Sequence, residues 1–243
     1  MAKGRRFAVF DIDGTLIRWQ LYHALADTMA RQGHIKPEVY RSMKDARMQW
    51  KRRTGGGFKS YETRVIEVYE TALRNLAITQ LEQGIEAVFE EYKDQVYTYT
   101  RDLIARLKKE NYLLLAISGS QTEIVSKIAG YYGFDDYVGT VYERTGRGFS
   151  GNKTIGSLNK DKTIVFLAQK HGCGFKESIG VGDSRSDIAM LKLVEHPIAF
   201  NPEDTLFEAA RRQGWKIVLE RKNMVYELEK IGKKYELVKT SSG

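Results

Sequence analysis

The chain has 243 residues, 42% of them hydrophobic, which suits one large domain or a core with a modest insertion. Its one cysteine, Cys173, excludes an internal disulfide, and no apolar run approaches the roughly 18 residues of a membrane span, so we expect a cytoplasmic protein with no membrane partner. The formal net charge is +8, but lysines and arginines are spread along the chain, which favours a basic surface that attracts anionic substrates over specific nucleic-acid binding.

Short apolar runs with strand character begin at residues 7–10 and recur further along the chain, where helical patterns separate most of them. The predicted strands are 7–10, 113–117, 137–141, 178–181, 197–200 and 216–219, and the helices that accompany them are 100–109, 121–131, 160–171, 185–192 and 203–212. Continuous apolar strands separated by helices are typical of a buried parallel sheet, which places its functional site at the carboxyl ends of the strands.

The segment from about 18 to 98 differs, because it shows helical periodicity and no convincing strand. Its predicted helices cover 20–32, 37–53 with Pro37 in the first turn, a third segment capped by Ser60, and a fourth that opens with a capping box at Thr79. An all-helical insertion directly after the first strand suggests a small cap domain over the site. We therefore expect an α/β core of Rossmann-like type with a parallel sheet at 1–17 and 99–243, and an inserted helical cap at 18–98.

Two acidic residues, Asp11 and Asp13, follow the first apolar run, and Gly14 then turns the chain. A strand that ends here delivers Asp11 to the ligand edge of the sheet, where its carboxylate is a competent covalent nucleophile toward phosphorus. The carboxyl group of Asp13 is suited to protonate a leaving alcohol and then to activate water. The alternative is that Asp13 only caps a turn or a helix.

Two further signals are weaker when taken alone. Ser118 and Gly119 end a buried strand just before a helix, where a hydroxyl and the following backbone N–H groups can hold a phosphate oxygen. An ordinary turn with Ser120 as the helix cap fits the same pattern. A lysine also precedes the helix at 160–171, and its ammonium could neutralise the nucleophile and the transferred phosphoryl group, although lysines at helix ends are usually solvated.

The last signal is Asp183, which again follows an apolar strand, with Asp187 one helical turn further on. Mg²⁺ prefers oxygen ligands, which Asp11, Asp183 and a backbone carbonyl would supply. Carboxylates held close together repel each other without a cation, so their convergence at one sheet edge predicts a divalent metal that also clamps phosphate oxygens. The alternative for Asp187 is a surface residue of a helix.

Taken in order, these residues resemble the four motifs of the haloacid-dehalogenase phosphatase superfamily, and most closely its phosphoserine-phosphatase-like branch. The first motif is matched by Asp11-x-Asp13-Gly14-Thr15, the second by Ser118, the third by Lys160, and the fourth by Gly182-Asp183-x-x-x-Asp187. The resemblance covers essentially the whole core and implies the fold expected above.

The resemblance also implies a role for each matching position. Asp11 would be the nucleophile and a metal ligand, and Asp13 would be the general acid/base with its backbone carbonyl on the metal. Ser118, Gly119 and Lys160 would bind the phosphate, and Asp183 and Asp187 would serve the Mg²⁺ site. Lys160 is preferred to Lys162 because apolar residues follow it at the spacing of the family's helix.

Departures from the family pattern concern the substrate. Serine-specific relatives carry an acidic residue for the substrate's amino group where this chain has Gln20, and an asparagine of their fourth motif is replaced by Ser186. Arg64, on the third helix of the insertion, either matches their carboxylate-binding arginine or is a solvated helix residue. We therefore expect Gln20, and with it Arg64, to contact a substrate other than phosphoserine.

These observations predict a Mg²⁺-dependent phosphomonoester hydrolase that acts on a small phosphorylated metabolite through an aspartyl-phosphate intermediate. A phosphotransferase or mutase on the same core is the first alternative, since only the access of water distinguishes it. The second is a non-enzymatic module that binds anions or nucleic acid, but such a module gains nothing from four carboxylates.

Overall fold

A computed structural model gives the structure of the chain and describes residues 5–54, 57–146 and 148–242. These residues form two compact units. The first unit contains the described residues up to Arg18, then Lys93–Thr140, and then Ile155 onward. The second contains Trp19–Tyr92 and Val141–Thr154, so a hairpin segment joins the helices of the predicted insertion.

The described residues form strands and helices that we number in chain order. The strands are β1 (Phe7–Phe10), β2 (Leu113–Gln121), β3 (Asp136–Thr145), β4 (Gly148–Ile155), β5 (Ile179–Gly182), β6 (His196–Phe200), β7 (Lys216–Arg221), β8 (Met224–Ile231) and β9 (Lys234–Ser242). The helices are α1 (Leu21–Arg31), α2 (Pro37–Arg52), α3 (Phe58–Leu73), α4 (Ile78–Tyr92), α5 (Thr98–Lys109), α6 (Thr122–Tyr132), α7 (Lys160–Lys170), α8 (Ile188–Leu191) and α9 (Asp204–Gln213), with a 3₁₀ turn at Arg185–Asp187.

The strands make one sheet in the order β4-β3-β2-β1-β5-β6-β7-β8-β9. Neighbours from β3 to β7 pair in parallel, whereas β8 and β9 extend the sheet in antiparallel fashion. Because Phe10 of β1 lies opposite both Ala116 and Val181, the carboxyl ends of β1, β2 and β5 meet at one edge. The predicted α/β core with a parallel sheet is confirmed. Strands β4, β8 and β9 were not predicted, because polar residues interrupt the apolar pattern of β4 and charged residues interrupt that of β8 and β9.

The centre of the sheet is buried. All four residues of β1 have no solvent exposure, as expected for a parallel strand covered on both faces. Phe7 and Val9 pack with Leu115 of β2, Ile164 of α7 and Leu191 of α8 in one hydrophobic core. Each such side chain contributes roughly 1.5–3 kcal/mol through burial, so the strand ends that follow are held by a rigid scaffold.

A carboxylate from a distant strand caps helix α5. The side chain of Glu220 in β7 is buried, and its two oxygens accept hydrogen bonds from the backbone N–H groups of Thr98 (3.1 Å) and Tyr99 (2.9 Å). These are N–H groups that the first turn of a helix cannot satisfy by itself, and a negative charge there also complements the helix dipole. These two hydrogen bonds connect strand β7 to the start of helix α5.

The second unit contains α1 to α4. An aromatic cluster, formed by His23, Trp50, Phe58 and Tyr61, lies at its centre, with ring centroids 4.8 Å apart for His23 and Tyr61 and 5.0 Å apart for Trp50 and Phe58. Beside it, Arg47 donates to both carboxylate oxygens of Asp27 at 2.8 Å. In the part of the chain that the structure describes, no helix is long and apolar enough to cross a bilayer.

Two of the predicted helix starts are wrong. Helix α3 begins at Phe58 after Gly57, so Ser60 lies within its first turn and is not the cap. Helix α4 begins at Ile78, one residue before Thr79, and the Ala77 N–H donates to the side-chain oxygen of Gln80 at 2.8 Å. The glutamine side chain thus satisfies a backbone donor two residues before Thr79, and the helix starts closer to the N-terminus than predicted.

Candidate active site

The site begins where β1 ends. The N–H of Asp11 donates to the carbonyl of Val181 in β5 at 3.0 Å, which continues the parallel ladder by one residue. Asp11 is 5% exposed and lies at the carboxyl edge of the sheet. The sheet therefore fixes this carboxylate before any ligand arrives.

A buried lysine joins Asp11 to Asp187. Lys160, the first residue of α7, has a side chain that is 2% exposed, and its Nζ lies 2.6 Å from Asp11 Oδ1 and 2.6 Å from Asp187 Oδ1. The same ammonium donates to the carbonyl of Ile117 at 3.0 Å. Its three protons thus have three acceptors, which fixes its position beside the nucleophile candidate.

Asp187 is held by the turn that follows β5. Its Oδ2 accepts hydrogen bonds from the backbone N–H groups of Asp183 (3.1 Å) and Ser184 (3.0 Å), and from the Ser184 hydroxyl. A Cβ at position 182 would lie 2.4 Å from the Asp187 carboxyl carbon, so only glycine fits at Gly182. Thr15 Oγ1 donates to Asp183 Oδ1 at 3.2 Å, which ties this turn to the loop after β1.

The carboxylate of Asp13 faces the end of β2. Ser118 Oγ donates to Asp13 Oδ2 at 2.5 Å, and Ser120 Oγ donates to Asp13 Oδ1 at 3.0 Å. The Ser120 N–H in turn donates to Ser118 Oγ at 2.9 Å. Both oxygens of the Asp13 carboxylate thus contact the end of β2, so its role is not limited to capping a turn.

The electrostatics of the site are dominated by burial and by carboxylate repulsion. Burial raises the pKa of Asp11 to about 7, with Asp187 and Asp13 adding to the rise and Lys160 opposing it. Burial, followed by the charges of Asp11 and Asp187, raises the pKa of Asp183 well above its usual range. For Lys160, burial acts to lower the pKa, but Asp11 and Asp187 outweigh it and raise the pKa.

This donor set suits a hard divalent cation. Carboxylate oxygens from Asp11, Asp183 and Asp187 all lie within 4.8 Å of one another. One ammonium offsets only one of these charges, and the remaining carboxylate charges add to the effect of burial, which is the larger cause of the raised pKa values of Asp11 and Asp183. An all-oxygen set is what Mg²⁺ prefers, and its two positive charges would balance those remaining charges.

A comparison with protein families identifies the family of the chain. Residues 8–192 match the family model described as haloacid dehalogenase-like hydrolase, which is most of the chain. The chain belongs to this family. The site residues from Asp11 to Asp187 all fall inside the matched region, and the family predicted from the four motifs is confirmed.

Curated relatives of this hydrolase include phosphatases from several organisms. A phosphoserine phosphatase of Mycobacterium tuberculosis is 29% identical over 55% of the chain, but the match spans only 44% of that protein, about half the length of the mycobacterial relatives. The phosphoserine phosphatase of Methanocaldococcus jannaschii is 25% identical, covering 86% of this chain and 92% of its own. Histidinol-phosphatase of Neisseria meningitidis serogroup C is 21% identical over 88% and 98%.

Solved structures share the fold. A Bordetella pertussis protein of unknown function has a TM-score of 0.70 at 21% identity, covering 88% of this hydrolase and 98% of that chain. A phospho-aspartyl intermediate analogue of a phosphoserine phosphatase has a TM-score of 0.63 at 20% identity, covering 90% and 95%. These structures show that the fold is shared, and the phosphoserine phosphatase relatives support the predicted phosphoserine-phosphatase-like branch.

The site residues predicted from the sequence fall into two groups, one in each unit. In the first unit the structure brings Asp11, Asp13, Ser118, Lys160, Asp183 and Asp187 to one sheet edge. Lys162 is exposed, which favours Lys160 as the phosphate-binding lysine. The carbonyl of Gly119 accepts a hydrogen bond from Thr140 Oγ1 at 2.7 Å, which holds the end of β2 in place.

Gln20 and Arg64 both belong to the second unit. Gln20 is half-buried and precedes α1, where its carbonyl accepts the N–H groups of His23 and Ala24. The guanidinium of Arg64 donates to Ser42 Oγ at 3.0 Å and to Glu67 Oε2 at 3.3 Å. Arg64 is therefore already engaged within its own unit, and a substrate carboxylate would have to compete with Glu67.

Sequence reasoning gave no role to three groups of the site. These are the hydroxyl of Thr15 on Asp183, the hydroxyl of Ser120 on Asp13, and the carbonyl of Ile117 on Lys160. Thr15 and Ser120 stand inside the motifs, which was the available signal, but a motif does not reveal where a hydroxyl points. Ser120 is also not a helix cap, because α6 begins at Thr122 with Gln121 in the capping position.

Proposed function

We propose that this hydrolase is a Mg²⁺-dependent phosphomonoesterase that works through an aspartyl-phosphate intermediate on Asp11. The observation that carries the proposal is the buried contact of Asp11 with Lys160 beside two further carboxylates. A nucleophilic carboxylate needs a fixed position, a neighbouring cation and a general acid/base. At this edge of the sheet, Lys160 is the cation and Asp13 is the proposed acid/base.

In the first step, a carboxylate oxygen of Asp11 attacks phosphorus, a new O–P bond forms, and the bond from phosphorus to the substrate's ester oxygen breaks. Asp13 gives its proton to the departing oxygen. Lys160 screens the charge of the incoming phosphoryl group, and the Ser118 hydroxyl donates to one of its oxygens. Ser118 can do so only by exchanging its present acceptor, Asp13 Oδ2, for the phosphate.

In the second step, a water molecule attacks phosphorus while Asp13 takes its proton. The acyl-phosphate bond breaks and returns the carboxylate of Asp11. Asp13 is then protonated again and ready for the next substrate, so atoms and protons balance over the cycle. Only the access of water separates this outcome from phosphoryl transfer to another hydroxyl.

Bound Mg²⁺ would supply positive charge to the phosphate oxygens and would neutralise the surplus of carboxylates. We assign Asp11 and Asp183 as its side-chain ligands, together with the backbone carbonyl of Asp13. Asp187 would support the site rather than bind directly, because both of its oxygens already accept hydrogen bonds from Lys160 and from the turn.

The proposed substrate is a small phosphorylated metabolite. The relatives named above as phosphoserine and histidinol phosphatases hydrolyse small phosphate esters, which supports this size class. We propose that phosphoserine itself is a poor substrate, because Gln20 offers a neutral amide where an ammonium group needs a carboxylate. A hydrogen bond to a charged partner is worth about 1.5–3 kcal/mol, against about 1 kcal/mol for a neutral one.

The test is a phosphate-release screen over phosphorylated metabolites, with and without Mg²⁺, and with a chelator as the control. We expect turnover of at least one ester in Mg²⁺ and loss of turnover with the chelator. Trapping of a base-labile, acid-stable phosphoenzyme on Asp11 would report the intermediate. Full activity in metal-free buffer, or no phosphate release from any ester, would contradict the proposal.

A further inference from the structure

Ser120 lies at the end of β2 and contributes two hydrogen bonds to the surroundings of Asp13. Its side chain is 2% exposed, and its hydroxyl donates to Asp13 Oδ1 at 3.0 Å. Its backbone N–H donates to Ser118 Oγ at 2.9 Å, so a lone pair of that hydroxyl is occupied and its proton is directed to Asp13 Oδ2 at 2.5 Å. Both oxygens of the Asp13 carboxyl group are thereby held from the same strand.

This arrangement has no structural explanation in helix capping. Helix α6 begins two residues later at Thr122, its capping position is Gln121, and the Ser120 hydroxyl is directed across the sheet to the loop after β1. A buried hydroxyl that points at a neighbouring carboxyl group, instead of at its own helix, restrains the rotation of that group about its side-chain bonds.

The two serines differ once a phosphate is bound. Under the proposed mechanism the Ser118 hydroxyl turns to a phosphate oxygen and leaves Asp13 Oδ2. The Ser120 hydroxyl has no such second task, and it keeps its hydrogen bond to Oδ1 at the moment when Asp13 must face the leaving oxygen. A general acid transfers its proton only from a fixed position within hydrogen-bond reach.

We propose that Ser120 is a positioning residue that aims Asp13 at the leaving group during the first chemical step. The inference rests on the proposed phosphatase activity and deepens it by adding a residue that acts through Asp13. Because general-acid assistance matters most for basic leaving groups, the contribution of Ser120 depends on the substrate's alcohol and not on its phosphate.

The experiment compares kcat/KM of the wild type and Ser120→Ala on p-nitrophenyl phosphate, phenyl phosphate and benzyl phosphate, whose leaving groups become more basic in that order. We expect a loss of about tenfold on benzyl phosphate and less than about threefold on p-nitrophenyl phosphate. Ser178→Ala is the matched control. Ser178 is also buried, and its hydroxyl is hydrogen-bonded to Phe175 and Glu195, away from Asp13.

A double-mutant cycle separates positioning from general damage. If Ser120 acts through Asp13, then Ser120→Ala should cause no further loss on phenyl phosphate in an Asp13→Asn background. An equal loss on all three esters, or a full additional loss in that background, overturns the proposal while leaving the phosphatase assignment intact. A wild type that releases phosphate from none of these esters and from no metabolite of the screen overturns both. Thermal unfolding of Ser120→Ala and Ser178→Ala shows whether either variant is misfolded.

Discussion

The two units of this hydrolase differ in how they hold the charged side chains that we assign to the proposed reaction. In the first unit, Lys160 is 2% exposed and has three acceptors, so its position is fixed by the fold. In the second unit, the side chain of Arg64 is 41% exposed, pairs with Glu67 one turn further along α3, and donates to the hydroxyl of Ser42 on α2. A buried ion network resists change, whereas a partly solvated pair can exchange partners at little cost.

This difference indicates that the reacting groups and the groups proposed to set substrate preference belong to different units. Groups that must act on every phosphate ester converge from strand ends that are far apart in sequence, as Asp11 and Lys160 show. Of the two groups proposed to select the leaving alcohol, Gln20 directly precedes α1, and Arg64 lies on α3 with a partner at the surface. Substitutions in the first group should therefore abolish activity or stability, and those in the second should shift preference.

The largest expected effect comes from Asp11→Asn. An amide of nearly equal shape cannot form the acyl phosphate, so kcat should fall by at least about 1,000-fold on every substrate. The phosphoenzyme should also disappear from trapping experiments. Near-normal kcat in this variant would mean that the first unit does not act by covalent catalysis, and the proposed division between the units would lose its main support.

The next effect concerns the stability of the buried ion network. Lys160→Met leaves the carboxylates of Asp11 and Asp187 buried without their cation, which should cost about 3–5 kcal/mol in the free energy of unfolding and should also remove activity. Lys162→Met is the matched control, because it removes an exposed lysine two residues away. The measurement is the free energy of unfolding of both variants in denaturant. Equal stability of the two would contradict the role of Lys160 as the buried cation of this network.

The second unit contains a buried histidine, His23, whose contribution to stability depends on pH. Burial in the aromatic cluster, with the charge of Arg47 adding to it, lowers the pKa of His23 to about 3. The unfolded chain binds this proton near pH 6.5, so the stability contributed by neutral His23 is present above that pH and is lost as the pH falls toward 3. Between pH 7 and pH 4 the loss should be about 3 kcal/mol.

The measurement is the free energy of unfolding against pH for the wild type and for His23→Leu, with His34→Gln as the control for losing a histidine of the same unit. The leucine variant should show a flatter acid limb, and the control should follow the wild type. A wild-type acid limb that is unchanged by His23→Leu would show that the aromatic cluster does not bury a neutral imidazole.

The smallest effect tests substrate preference. Gln20→Glu should raise kcat/KM on phosphoserine by about tenfold relative to phosphate esters without an amine, because it restores a charged partner for the ammonium group. Gln20→Ala is the matched control and should leave the ratio unchanged or lower it. A wild type that already prefers phosphoserine over all esters tested would mean that Gln20 does not set the preference.

The sequence alone determined the sheet and the order of its chemical groups. Short apolar runs predicted β1, β2, β5, β6 and β7, since a parallel strand buried on both faces leaves a continuous apolar signature. Strand ends then indicated Asp11, Ser118 and Asp183, because parallel strands present their carboxyl ends at one edge. Strands β8 and β9 lacked that signature, because they are exposed and alternate apolar with charged residues.

The choice between neighbouring lysines, and the contacts that support Asp13 and helix α5, could be read only from the three-dimensional structure. Lys160 and Lys162 have the same chemistry, and burial at the start of α7 distinguishes them. The hydroxyl of Ser120 donates to Asp13, which lies 107 residues away in sequence. The carboxylate of Glu220 caps a helix that starts 122 residues earlier in the chain. Local periodicity reports which face of an element is apolar, but the direction of a polar side chain depends on the acceptor that packing brings within about 3 Å.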